Sequence, residues 1–290
     1  MVSINLDDAV SEALQSIGER GVLSPDCLFL LGTGLGTLGG SLGITHSFPL
    51  HEVPGVPAIW HEVTLLVAQH STGSKSCCIW LLEDAPGPLQ FGTGGGPERP
   101  AWERAFPVWL AAAAGAKTMV HTSAGTSLRA SLPVGSLVAV SDHINLSGHT
   151  PLLGLGPTRL GPLFPDQTRL HHPGLRLLAS DLLLELGPML VEAVAVCLQG
   201  PSSTTPAELQ WLSGTPADVA IQDCAAPWIA AAHAGLALVA LTCITDSGHG
   251  RMRMPDLLEA AEKCAPLLED LLMRLIPDLH QVAQELEHEV

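Results

Sequence analysis

The chain has 290 residues, 47% of them apolar and only 14% charged, with a formal net charge of −16. That composition supplies a core for one large α/β domain or two small ones. It argues against a nucleic-acid or anionic-membrane surface, because counterion release needs clustered Lys and Arg. No apolar run reaches the roughly 18–20 uncharged residues of a membrane span, and the nearest, 225–245, is interrupted by Pro227 and His233. The N-terminus carries Asp7, Asp8 and Glu12 where a secretion signal would be basic and then apolar, so a cytoplasmic location is expected. The seven cysteines form no CxxC, and an odd number fits reduced thiols packed as small core residues better than a disulfide framework.

In chain order, residues 7–21 have apolar positions Ala9, Leu14 and Ile17 at helical spacing. Cys27–Leu31 is a short apolar run ending at Gly32, the pattern of a buried strand. Residues 63–69 and 77–82 flank a polar turn and predict a hairpin, and 85–100 is a Gly/Pro-rich loop. A helix is predicted over 102–114, strands over 117–122 and 136–141, and a long connection over 148–165. Helices at 173–186 and Pro206–Ser213 bracket a strand at 191–199. Strand 217–221, helix Ala225–Ala234 and strand 236–245 read as a βαβ unit. A terminal helix over 255–276 starts at a proline and is expected to break at Pro277. The alternation indicates one mixed sheet covered by helices on both faces.

Four segments carry candidate chemistry. Gly32-Thr-Gly-Leu-Gly36 follows a strand, so its backbone amides can turn towards an anion and Thr33 can add a hydroxyl. It lacks the third glycine of a dinucleotide fingerprint and the Gly-Lys-Ser/Thr of a P-loop. Thr122-Ser-Ala-Gly-Thr-Ser-Leu-Arg129 reads as a small-residue loop after a strand, followed by a second strand and Asp142-His-Ile-Asn-Leu146. The third segment is Val194-Ala-Val-Cys-Leu-Gln-Gly-Pro-Ser-Ser-Thr-Thr-Pro-Ala-Glu208, and the fourth runs from Gly214 to Thr245-Asp246.

In this order, over about residues 5–275, these segments resemble the trimeric purine nucleoside phosphorylases and their methylthioadenosine phosphorylase relatives. The resemblance implies a single-domain α/β nucleoside phosphorylase fold over 1–290, its mixed sheet partly barrel-like and flanked by helices; the residues at 277–290 themselves read as an acidic tail, a solvated helix face. It implies a homotrimer, a purine nucleoside or base as ligand, inorganic phosphate as co-substrate, and no other cofactor or metal. It also implies that Thr33, Ser123 and the Ala124 amide bind phosphate. Asp246 would contact purine N7 and support the leaving group, and Thr204 and Gln222 occupy substrate-binding positions.

Against that pattern, much of the site is replaced. The family's stacking Phe and purine-binding Glu fall at Ser203 and Thr204, and its phosphate-binding hydroxyl falls at Asp223. Stacking on an aromatic is worth about 1–3 kcal/mol per base, and a carboxylate beside a phosphate oxygen is repulsive. Where the family carries a phosphate-binding Arg after the hairpin, the chain reads Trp80-Leu-Leu-Glu-Asp-Ala-Pro86, and the nearest downstream cations are Arg99 and Arg104. There is no tyrosine for the ribose, and the aromatic that a neighbouring subunit lends falls at Leu160. Phosphorolysis needs a held phosphate, a positioned ribosyl group and a stabilised leaving purine. The expectation is therefore a weakly active or non-catalytic member of the family. One alternative is an active phosphorylase, possibly for 6-aminopurine nucleosides, with Asp246 on the base and Arg99 or Arg104 on phosphate. The other is a nucleoside hydrolase using Glu83, Asp84 or Asp223 as base. Of the histidines, His70 and His121 read as surface or satisfied core residues, His61 as a loose counterpart of a family histidine, and His171, His172 and His249 as solvated loop residues.

Overall fold

The computed structural model describes residues 5–32, 38–72, 75–83, 99–248 and 253–288. Thr33, Asp84 and His249, and nearly all of the 85–100 loop, lie outside the described residues. The chain opens with α1 (Leu6–Glu19), whose first turn is capped by Asn5 accepting from the Asp8 amide at 2.9 Å. Strand β1 (Cys27–Leu31) is buried at every position, as a strand covered on both faces must be. After it come the one-turn helix α2 (Leu38–Ser41), β2 (Ile44–Pro49), and the antiparallel pair β3 (Thr64–Thr72) and β4 (Lys75–Glu83). The predicted hairpin is present, with strands running three residues further into the turn on β3 and two on β4 than the polar residues suggested.

The remaining elements are α3 (Phe106–Ala114), β5 (Thr118–Ser127), β6 (Leu137–Asn145), α4 (Pro173–Glu185), β7 (Val191–Leu198) and α5 (Pro206–Ser213). They are followed by β8 (Val219–Gln222), α6 (Ala225–Ala234), β9 (Ala237–Asp246) and α7 (Met254–His288). Among the described residues, nine strands form one sheet in the order β2-β3-β4-β1-β5-β8-β7-β6-β9, and a further β5–β9 pairing closes its second half on itself. The architecture is the mixed, partly barrel-like sheet flanked by helices. One face packs on α1, α3 and α6, the other on α4 and α7. Adjacent residues of β5 show the period-2 alternation, with Met119 in the first core and Val120 in the second.

The predicted βαβ unit is corrected. Strands β8 and β9 do flank a helix, but both pair with β5, β8 antiparallel and β9 parallel, and not with each other. Barrel closure puts β5 between them. The terminal helix does not break at Pro277; α7 runs through Pro266 and Pro277. A proline inside a helix costs about 3 kcal/mol. The stripe Leu268, Leu271, Leu272, Leu275, Ile276 and Leu279, all buried against the sheet, outweighs it. The expectation of reduced thiols holds for five buried cysteines, but Cys243 and Cys264 are joined, tying β9 to α7.

Candidate active site

The site opens where β5 changes partners. On one edge β5 pairs with β1 as far as the Leu30–His121 register, and pairing with β8 resumes only at Gly125–Ile221. Between them, Thr122, Ser123 and Ala124 have no partner strand on that edge among the described residues. The residues expected to form a loop are therefore strand, with one edge left open. Gly125 marks the crossover: a Cβ there would lie 2.6 Å from Val219 Cγ2 and 2.9 Å from Thr242 Cγ2, so only glycine fits. A cavity of about 460 Å³ fills the split. Its walls include Ser123 and Ala124 from β5, Gln222 and Asp223 at the end of β8, Ser203 and Thr204 from the β7–α5 loop, and Met254 and Leu257 from α7. Such a volume suits a small-molecule ligand.

The structure brings Ser123, Ala124, Thr204 and Gln222 together around this cavity. Asp246 stands apart from its walls. Thr245 borders the cavity, while the Asp246 carboxylate accepts from the Gly248 amide at 3.2 Å and closes the turn after β9. Of the two candidate cations, Arg99 turns to Glu103 at 3.5 Å, and Arg104 reaches the cavity wall. There it faces Asp223. Burial lowers the Arg104 pKa from its ordinary value, and the Asp223 charge works against that shift. Burial raises the Asp223 carboxyl, while the Gly200 amide, Arg104 and His149 hold it down.

Asp223 is held in the left-handed region at φ 58°. Its Oδ1 accepts from the Gly200 amide at 3.3 Å. A side chain at Gly200 would collide with Asp223 Oδ2 at 2.6 Å and Gln222 Oε1 at 2.8 Å, so this glycine permits the close approach. The segment beyond it has a structural task as well. The Thr205 hydroxyl accepts from the Glu208 amide at 3.3 Å, and the Glu208 carboxylate accepts from the Thr205 amide at 2.7 Å. This capping box starts α5 and fixes the loop that carries Ser203 and Thr204.

Other motif residues turn out to be scaffold. Arg129 donates to Asp218 at 3.1 Å and to the carbonyls of Ser213 and Thr215 at 2.8 and 2.7 Å. Asn145 donates to the His149 carbonyl at 2.9 Å and accepts from the Ser147 amide and hydroxyl. That turn delivers Ser147 and His149 to the cavity. His171 and His172 are not solvated loop residues: His171 is buried, and His172 accepts from the Leu175 amide at the start of α4. His121 is buried in the cavity wall, where Trp228 Nε1 donates to its Nδ1 at 2.7 Å. Spacing along β5 held one signal for it, since period 2 puts His121 on the face that carries Ser123.

Comparison with known proteins accords with this geometry. Residues 93–277 match the phosphorylase superfamily. The chain is 32% identical over 281 residues to the purine nucleoside phosphorylase of Mycobacterium leprae, covering 92% of this chain and 97% of that protein. This chain belongs to the purine nucleoside phosphorylase family. A second member, purine nucleoside phosphorylase 1 of Geobacillus stearothermophilus, is 28% identical over 263 residues, 88% of this chain and 92% of that one. The fold matches isoform 2 of the Schistosoma mansoni purine nucleoside phosphorylase, solved with cytosine and ribose-1-phosphate. The TM-score is 0.80 at 23% identity, over 94% of this chain and 98% of that one. A Schistosoma purine nucleoside phosphorylase solved with hypoxanthine gives a TM-score of 0.79 at 23% identity, over 95% and 99%.

Proposed function

We propose that this phosphorylase-family protein binds a purine nucleoside or base in the β5 cavity and carries out phosphorolysis weakly or not at all. The observation that carries the reading is the Asp223 carboxylate in the cavity wall, opposed to the one cation among the described wall residues, Arg104. A guanidinium engaged by a carboxylate has less charge to offer an incoming phosphate. The small residues Ser203 and Thr204 leave the purine without the family's aromatic platform. The relatives solved with hypoxanthine or with cytosine and ribose-1-phosphate support the choice of ligand class.

The test is release of free base from inosine, guanosine, adenosine and methylthioadenosine, with and without phosphate. The expected result is binding seen as a thermal shift, with little or no phosphate-dependent release. Vigorous phosphate-dependent release would refute weak phosphorolysis, and phosphate-independent release would favour hydrolysis with Asp223 as base.

The same reading includes a homotrimer in the cytoplasm. The connection between β6 and α4 exposes Leu153, Leu163 and Phe164, the last 88% accessible, apolar surface that a subunit contact would cover. Leu160 of that connection packs partly on its own core, and the preceding Thr158 hydroxyl and Arg159 amide donate to Asp7. Light scattering should give a mass near three times 30.3 kDa; a monomer would overturn the assembly.

A further inference from the structure

His121 has a feature that its burial alone does not explain. Its Nδ1 accepts from the Trp228 indole at 2.7 Å, with the two rings edge-on at 6.0 Å. An indole N–H can only donate, so Nδ1 is bare and the ring proton sits on Nε2. Burial holds this histidine down to about 4, so at neutral pH the ring is an uncharged N–H donor. The bond from Trp228 is its one hydrogen bond among the described residues, and Nε2 is not among the sealed, partnerless atoms. The ring lies in the wall of the cavity.

The neighbours on β5 complete the picture. His121 and Ser123 share one face of the strand, about 6–7 Å apart along it. The Ser123 hydroxyl is positioned by Thr242 Oγ1 at 2.8 Å. Arg104 lines the same cavity. Hydroxyl, imidazole N–H and guanidinium are the donors that an oxyanion recruits. A neutral imidazole donates well to a polarised oxygen without presenting a charge that the apolar surroundings would oppose.

We propose that His121 is a ligand-binding residue of this cavity, its Nε2–H donating to an oxygen of inorganic phosphate seated against Ser123 and Ala124. The proposal rests on the reading of the Ser123–Ala124 edge as the phosphate end of a nucleoside site. It names the residue through which the phosphate recognition left to this chain runs. Trp228 acts through His121 as its positioning residue, fixing the tautomer that directs the donor.

The experiment uses the full chain, ¹⁵N-labelled at histidine and titrated by NMR, first with inorganic phosphate to tens of millimolar and separately with hypoxanthine. Without ligand, His121 should show a protonated Nε2 and a bare Nδ1, and phosphate should shift the Nε2 resonance. His121→Val should bind phosphate about tenfold more weakly with hypoxanthine affinity unchanged. Trp228→Phe should abolish the single-tautomer signature. A protonated Nδ1 in the wild type, no movement of His121 on adding phosphate, or unchanged phosphate affinity in a folded His121→Val each overturns the proposal. If hypoxanthine binds while phosphate leaves His121 unmoved, the His121 assignment falls and the nucleoside-site reading stands. If neither ligand binds, both fall. The wild-type titration decides the matter even where the variants fail to fold.

Discussion

Asp223→Asn should raise kcat/KM for phosphate by tenfold or more in a base-release assay. A unit charge about 4 Å from a phosphate oxygen opposes it by about 4 kcal/mol at an effective dielectric constant near 20, and only part of that is offset by Arg104. Asparagine keeps the size of the side chain and tolerates the left-handed backbone at φ 58°. It also removes the negative charge of Asp223 that acts on Arg104. Asp223→Ser restores a hydroxyl of the family's type, at the cost of a less comfortable backbone, and should move in the same direction. The measurement is initial rate against phosphate concentration at saturating nucleoside. Rates no higher in either variant than in the wild type would show that the carboxylate is not what limits phosphate, and the electrostatic reading of the site would be wrong.

Acid should unfold this protein early, with stability falling by about 3 kcal/mol between pH 6.5 and pH 5. His121 is held down to about 4 and His171 to about 3, in each case first by burial. Well above pH 6.5 both are neutral in the folded and unfolded chain and contribute no pH dependence. As pH falls below 6.5, the unfolded chain takes up protons that the folded chain cannot, until the folded values are reached. Each group then costs about 1.4 kcal/mol per pH unit. His143, also lowered by burial, adds in the same sense. The raised carboxyls of Asp223 and Glu103 act oppositely, gaining stability as they protonate at lower pH. Against a typical total of about 5–15 kcal/mol, the loss should bring the thermal midpoint down by several degrees at pH 5 relative to pH 7.5. Equal midpoints at the two pH values would show that these rings are not buried as neutral groups.

The three histidines gather round one indole. Trp228 meets His121, His143 and His171 edge-on at 6.0, 5.3 and 4.9 Å, and His143 Nδ1 lies 3.1 Å from His171 Nε2. They come from β5, β6 and the segment before α4, while Trp228 comes from α6, more than fifty residues further on. No local pattern announces such a cluster, because each histidine taken singly looks like an ordinary surface or core residue.

Much of the architecture was written in local sequence. The apolar run Cys27–Leu31, the hairpin around residue 70 and the proline-started helices depend on periodicity and backbone preference, which act over a few residues. The family, too, was legible, since its segments occur in chain order with small residues wherever strands end. The presence of a carboxylate, Asp223, in the Gln222-Asp223-Cys224 segment could also be read, because it concerns residue identity alone.

Tertiary structure alone decided the rest. The continuity of α7 through Pro277 follows from long-range burial of its leucine stripe, which outweighs a local preference to stop. The pairing of Cys243 with Cys264 follows from the packing of α7 on β9, and the separation of β8 from β9 and the open edge at Thr122–Ala124 follow from closure of the sheet around β5. The same closure selected Arg104 over Arg99, set Asp223 against it, and moved His121 from an unremarkable strand position into the cavity wall. Residue types and short-range periods belong to the sequence; which of them share a low-dielectric space is set by contacts between segments a hundred residues apart.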